Sequence, residues 1–343
     1  MQERYQLDRL DESELMSLAV LGVVDVYLGD GFADYTQHSG GDAARVPFPA
    51  EYSAQVLELH ERCHQLRTLR DEDEFSLVHD GDLYRVTVFP SVDRGAASGA
   101  PIYFLSRGTA AVLPLSRIGV PAPIRDVLLD PATTGLVVIA GPRGGGKTTT
   151  AASILTERLQ LTGGLALALQ DPIETMLDGL HGNGRCIQSP ISRRFGGYGE
   201  ALTKAMRTRV GTILLGEIRE AGTAALAIES GLSGIYLLST LHGDPKESQS
   251  LRSSLNRLLT FATKDVGSRE EAMEMLSASL SVLIQQRLEP IAPRSTQMRA
   301  VLTCLNFHDS KDGSALRAMV RDGRLDQLQT IAEGQAKRTL WTS

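Results

Sequence analysis

Gly141, Gly146, Lys147 and Thr148 fill the pattern G-x-x-x-x-G-K-[ST], with Pro142, Arg143, Gly144 and Gly145 between them. A phosphate chain carries several negative charges and has to be gripped closely from several sides. Glycines let backbone N–H groups approach it and turn through positive φ without a Cβ clash. A helix starting near Lys147 adds free N–H groups and the positive end of its dipole. Lys147 supplies a movable charge for β- and γ-phosphates, and the Thr148 hydroxyl is suited to ligate Mg²⁺. The apolar run over 136–140 reads as a buried strand, and 149–161 as a helix ended by Gly163 and Gly164. Residues 141–149, Thr149 included, are therefore expected to hold a nucleotide, ATP with Mg²⁺.

A phosphate loop alone does not say what happens to the nucleotide. Hydrolysis needs an acid that orders the metal, a group that orients water and a positive group for the developing charge. In a parallel sheet these belong at the carboxyl ends of strands. Three apolar runs end suitably: LALALQ runs into Asp171-Pro172-Ile173-Glu174, TILLG ends at Glu217, and IYLLST ends at Leu241-His242. A single acidic strand end is commonly just a solvated charge, but three beyond one phosphate loop form a set. Glu217, after four apolar residues, is expected to hold the water shell of Mg²⁺. Glu174 is the candidate water-activating base, and Asp171 is a further candidate at the metal. His242 is placed either to sense the γ-phosphate or to link subunits.

The rest of the chain must position these groups. Hydrophobic residues make up 42% and charged residues 22% of 343, the balance of a globular chain with room for two domains. A net charge of −6 argues against a nucleic-acid groove as the main purpose, so no direct nucleic-acid contact is expected. Cys63, Cys186 and Cys304 stand apart with no C-x-x-C pair, so neither a disulfide framework nor a zinc site is indicated. The apolar region over 15–28 contains Asp25 and is too short for a membrane span. With no basic segment before it and no cleavage motif after it, a cytoplasmic location is expected.

Residues 1–107 read as a separate α/β domain. It carries a helix over 7–20, a strand over 23–28, a turn-rich stretch over 29–41 and a helix over 50–70. Strands over 74–79 and 83–89 flank Asp80-Gly81-Asp82, a strong hairpin signal. Residues 94–101 form a small-residue loop before a last strand over 102–105. Periodicity is lost and Gly and Pro increase over 108–123, which reads as a linker. The second domain, 124–343, alternates strands over 165–170, 212–215 and 235–239 with helices over 198–208 and 221–231. This implies a parallel sheet with helices on both faces. The remainder reads as mostly helical, with Leu276, Leu280, Leu283, Ile284 and Leu288 on one stripe of a helix over 270–288.

Four of these segments together resemble the Walker A, Asp box, Walker B and His box of the type II/type IV secretion ATPases, the superfamily of pilus retraction and conjugation motors. GPRGGGKTTT resembles that family's GPTGSGKSTT, QDPIE resembles EDPIE, ILLGEIRE resembles ILVGEMRD, and STLHGD resembles GTLHTN. VVDVYLGDG at 23–31, YRVTVF at 84–89 with Arg94-Gly95, the segment 279–288 and ALRAMVRDGRLDQ at 315–327 are similar to further family segments, so the likeness covers nearly the whole chain. The resemblance implies a PAS-like N-terminal α/β domain and a RecA-like P-loop domain with C-terminal helices. It implies a homo-hexameric ring in which ATP binds between the two domains of a subunit and N-domain arginines reach the phosphates. Arg85, Arg94 and Arg107 are the candidates. It further implies inner-membrane secretion or pilus platform proteins as partners, so that membrane contact is peripheral.

Several positions depart from the family pattern. Gln170 replaces the acid before DPIE, and Arg143 with three glycines alters the loop interior. RTRVGT replaces a Pro-Asp pair, no second histidine follows His242, and Tyr27 stands where histidine is common. IQSPISRRF at 187–195 is similar to the DotB-like ATPases of type IVB secretion and related plasmid conjugation systems. The leading expectation is a motor of that branch. A type IV pilus retraction ATPase is an alternative, a nucleotide-dependent scaffold with little turnover is another, and a small-molecule kinase is disfavoured by the large N-terminal domain and by Glu217 and His242.

Overall fold

The structure is a computed structural model and describes residues 18–37, 44–91, 99–108, 112–243, 250–292 and 297–340. Two compact units emerge: described residues up to Gly108 together with Asp171–Met176, and Val112–Gln170 together with the residues from Leu177 on.

The first unit is an antiparallel sheet with one long helix. It contains β1 (Asp25–Gly29), β2 (Phe32–Thr36), β3 (Val46–Pro47), α1 (Ser53–Arg70), β4 (Glu74–His79), β5 (Asp82–Pro90) and β6 (Pro101–Arg107). The strand order is β3-β2-β1-β6-β5-β4. Val26 and Leu28, Tyr84 and Val86, and Tyr103 and Leu105 alternate inward and pack with Leu59 and Cys63 of α1, the period-2 burial of a sheet covered on one face. Between β4 and β5 the register closes at His79↔Asp82, and Asp80 and Gly81 take φ of 51° and 78°. Two consecutive positive φ values match the right-handed twist of the strands they join.

The second unit begins with two short helices, α2 (Leu115–Ile118) and α3 (Ala122–Leu129). Then follow β7 (Gly135–Gly141), α4 (Lys147–Thr162), β8 (Gly164–Gln170), β9 (Gly179–His181), β10 (Gly184–Pro190), α5 (Gly197–Met206), β11 (Thr212–Ile218), α6 (Ala221–Leu232) and β12 (Tyr236–His242). The chain ends with α7 (Leu251–Val266), α8 (Arg269–Ser279), β13 (Leu280–Pro290), β14 (Met298–Asn306), α9 (Gly313–Arg321) and α10 (Leu328–Leu340). The sheet runs β14-β13-β7-β12-β11-β8-β10-β9, parallel from β13 to β10 with antiparallel edges. Leu128 of α3 and Ile154, Leu155 and Leu159 of α4 fill the core on one face. Leu202, Ile228, Leu255, Leu276 and Leu316, from α5 to α9, fill the core on the other. The α/β class with a parallel central sheet is thus the one the sequence implies.

Four sequence expectations need correction or restriction. The helix expected over 270–288 stops at Ser279, and Leu280–Pro290 is a strand. Its spacing imitates a helix because the strand lies between β7 and β14 and is buried on both faces, so no polar alternation reveals it. The stretch expected as a linker over 108–123 instead carries α2 and the start of α3, and Leu115 and Ile118 lie in the second unit's core. Two-turn and shorter helices leave too little periodicity to read. The turn-rich stretch over 29–41 contains β2, which pairs with β1 through Leu28↔Ala33. Of the helix expected over 7–20, residues 7–17 lie outside the described residues, and Leu18–Leu21 is a single 3-10 turn.

Candidate nucleotide site

β7 is buried along its whole length and delivers the chain at Gly141 to the phosphate loop. Gly146, at φ 77°, is the N-cap of α4, and Lys147 is that helix's first residue. The first N–H groups of a helix have no intrahelical partner, so the loop and helix together form a concentration of backbone donors suited to an anion. Thr148 is half-buried, while Arg143, Gly144 and Thr149 are exposed. Pro142 and Gly145 line the inner side of the turn, the Gly145 N–H donating to the Pro142 carbonyl at 3.2 Å.

Lys147 is only 6% exposed. Its Nζ donates to the Gly141 carbonyl at 3.1 Å and the Pro142 carbonyl at 2.7 Å, and lies 3.1 Å from His242 Nδ1. An ammonium has three donors and no acceptor, so Nδ1 is the accepting nitrogen and the ring proton sits on Nε2. That nitrogen lies 3.2 Å from Glu217 Oε1. Burial, then the facing Lys147 ammonium, hold His242 below the ordinary imidazole range despite the pull of Glu217. The imidazole is accordingly a neutral bridge between a cation and an anion. The other Glu217 oxygen, Oε2, accepts from Arg219 Nε at 2.6 Å, and Glu217 itself is 7% exposed. β7, β11 and β12 are adjacent in the sheet, which is why three residues distant in sequence meet at their ends.

The other candidates fall in the first unit. Arg85 on β5 lies with Nη1 3.5 Å from Glu174 Oε1, both side chains nearly half exposed. Ser76 on β4 donates to the Ile173 carbonyl at 3.0 Å, anchoring the same loop. Asp171–Met176 thereby groups with the N-terminal sheet although it follows β8; Asp171 precedes a cis proline, Pro172. Arg107 is paired with Asp82, Nη2 to Oδ1 at 2.7 Å, and is two-thirds buried. Arg94 lies outside the described residues.

Two glutamines that were not candidate residues hold these segments in place. Gln188 on β10 donates to Gln170 Oε1 at 2.7 Å and accepts from the N–H groups of Leu177 and Asp178 at 2.8 and 3.2 Å. It ties together the two roots of the segment 171–176, and Gln170, which departs from the family acid, is its partner. Gln286 on β13 is bonded to the phosphate loop and to α4. Gln286 is a buried amide, which requires partners; Gln188 is only half-buried in a strand that also carries Arg185 and Ser189, and gives no such signal.

The family model for type II/IV secretion system proteins matches residues 107–338. The chain belongs to that family. It is 30% identical over 290 residues to the type IV pilus retraction ATPase PilT of Pseudomonas aeruginosa, covering 81% of this chain and 78% of that one. It is 29% identical over 155 residues to type II secretion system protein E of Xanthomonas campestris, covering 45% of this chain and 24% of that one. Among solved structures, the ATPase DotB of Legionella pneumophila superposes with a TM-score of 0.71 at 19% identity, over 93% of this chain and 85% of that one. The pilus retraction motor PilT with bound ADP superposes with a TM-score of 0.71 at 22% identity, over 94% and 89%. The chain thus spans most of PilT but about a quarter of the Xanthomonas type II secretion protein.

Mg²⁺, the cation expected with a bound ATP, is a hard ion that prefers oxygen. Thr148 and Glu217 supply oxygens of that kind. Both Glu217 oxygens are engaged by His242 and Arg219, which suits an acid acting on the ion's water shell. Among the described residues no cluster of three or more His, Cys, Asp or Glu could hold a metal by itself. Oxygens from a nucleotide would have to complete the shell, as is usual for Mg²⁺.

Proposed function

We propose that this chain binds ATP with Mg²⁺ and hydrolyses it, and that it works as a hexameric ring driving a membrane-embedded apparatus of type IVB secretion or conjugation. The observation that carries the reading is the chain of contacts from Lys147 through His242 to Glu217, joined to the donor-rich loop before α4. Mg²⁺ held with the nucleotide would neutralise phosphate charge. In this reading the N–H groups of 144–148 bind phosphate, and Lys147 exchanges its two carbonyl partners and His242 for phosphate oxygens. His242 registers that departure and passes it to Glu217, while Glu174 acts as the base toward water. Arg85 holds the Glu174 carboxylate and supplies positive charge.

A type IV pilus retraction ATPase is the second reading, and the 30% identity to PilT over 81% of this chain supports it. The structural likeness to DotB supports the first reading's fold to the same degree as it does PilT's. The chemistry is common to both, and the apparatus differs. Partners at the inner membrane would hold the ring peripherally; among the described residues no helix is long and apolar enough to cross a membrane.

Phosphate release from ATP by the purified chain, with Mg²⁺ present or chelated, tests the reading. Metal-dependent release supports it, and none under any condition would shift the assignment to an assembly scaffold. In the same assay Arg85→Ala is expected to lower turnover by about tenfold or more while ATP affinity stays within about twofold. Unchanged turnover would remove Arg85 from the machinery.

A further inference from the structure

We propose that Gln286 is a positioning residue that sets the aim of the phosphate loop. β13 pairs with β7 in parallel only as far as Gln285↔Ala140. Gln286 is the next residue, so it lies beside the loop at the point where Gly141 leaves the sheet. The approach is close: a Cβ at Gly141 would sit 2.0 Å from the Gln286 carbonyl oxygen, and one at Gly146 would sit 2.9 Å from Gln286 Nε2. No side chain fits at Gly141, where the opposing atom is backbone; at Gly146 it is the end of the Gln286 side chain, and the φ of 77° itself favours glycine.

The Gln286 side chain is 1% exposed and both ends of its amide are used. Nε2 donates to the Gly145 carbonyl at 2.7 Å, and Oε1 accepts from Thr150 Oγ1 at 2.8 Å. The amide orientation follows from the partners, because a carbonyl only accepts. A peptide unit is planar and trans, so its C=O and the following N–H point in opposite directions. Holding the Gly145 carbonyl toward β13 therefore turns the Gly146 N–H away from it, to the side where a phosphate would be gripped. Thr150 lies in the first turn of α4, so one amide fixes the loop peptide and the helix against each other. The neighbouring Gln285 points to the opposite face of the sheet and accepts from Ser254 of α7 at 2.6 Å. The two consecutive glutamines thus serve different layers.

This inference rests on the nucleotide-binding reading and adds a residue to it. Without the clamp the Gly145–Gly146 peptide is free to flip, and phosphate binding must pay for ordering it. The test is ATP affinity by calorimetry on the full chain, with KM, kcat and melting temperature on the same samples. Gln286→Leu is expected to weaken ATP binding and raise KM by about tenfold or more, with a smaller change in kcat at saturating ATP. Thr150→Val is expected to move the same way and Thr150→Ser to retain wild-type affinity, because only the hydroxyl is used. Combining Gln286→Leu with Thr150→Val should add little beyond Gln286→Leu alone. If Gln286→Leu does not fold, the contrast between Thr150→Val and Thr150→Ser decides. Wild-type affinity in both Gln286→Leu and Thr150→Val, with Lys147→Ala defective, would overturn the clamp and leave the nucleotide reading intact. No ATP binding by the wild-type chain would take down both.

Discussion

Lys147→Ala is expected to weaken ATP binding by about 100-fold or more, because a charge-assisted contact of roughly 3 kcal/mol disappears. The effect is larger than that of removing an exposed lysine. Lys147 is 6% exposed and its Nζ is already positioned by the Gly141 and Pro142 carbonyls and by His242. These contacts hold the ammonium beside the loop at little entropic cost on binding, and phosphate oxygens are stronger acceptors than the carbonyls they replace. Lys147→Arg should not rescue, since a planar guanidinium does not fit the same enclosed slot. Direct titration of ATP into wild type and variant checks this, with melting curves showing that both are folded. Affinity within threefold of wild type in Lys147→Ala would mean that the loop does not hold phosphate through this residue.

Glu174→Gln should leave binding intact and lower turnover by about 10²- to 10⁴-fold, the usual worth of a general base. The substitution keeps the side chain's shape and loses only its basicity and charge. Its partner Arg85 lies at 3.5 Å with both side chains nearly half exposed, so solvent relieves the unpaired guanidinium and the fold should survive. Glu217 is a different case. It is buried between His242 and Arg219, and a neutral amide there would disturb several hydrogen bonds at once. Single-turnover phosphate release, read beside ATP affinity, separates these roles. A Glu174→Gln protein with unimpaired turnover would pass the base role to another group.

The sequence revealed what is local. The phosphate loop is a contiguous pattern, and Glu217 and His242 were legible because each ends a run of apolar residues that could only be a buried strand. Their meeting follows from the adjacency of β7, β12 and β11, a strand order that the alternation of strands and helices alone does not specify. Other features were hidden for identifiable reasons. β13 is buried on both faces, so its apolar spacing imitated a helix. Gln286 lies in the family-like segment 279–288, but its partner is 136 residues earlier in the chain, and nothing local names that partner. The grouping of Asp171–Met176 with the N-terminal sheet depends on Ser76 and Arg85, almost 100 residues away. Arg107, a candidate phosphate-seeking arginine, pairs with Asp82 at the start of β5. The position of Asp82 one step after a tight hairpin could have suggested an acid needing a partner, but nothing in the sequence chose Arg107 for it.

The proposed motor hydrolyses ATP as an assembled ring. The most direct test is ATP turnover per subunit measured as protein concentration is varied, with particle mass from light scattering on the same samples. Turnover is expected to rise as the chain assembles into a particle of about six subunits and to vanish at every mass in Glu174→Gln. Turnover per subunit that stays constant down to concentrations where the particle is a monomer would contradict it.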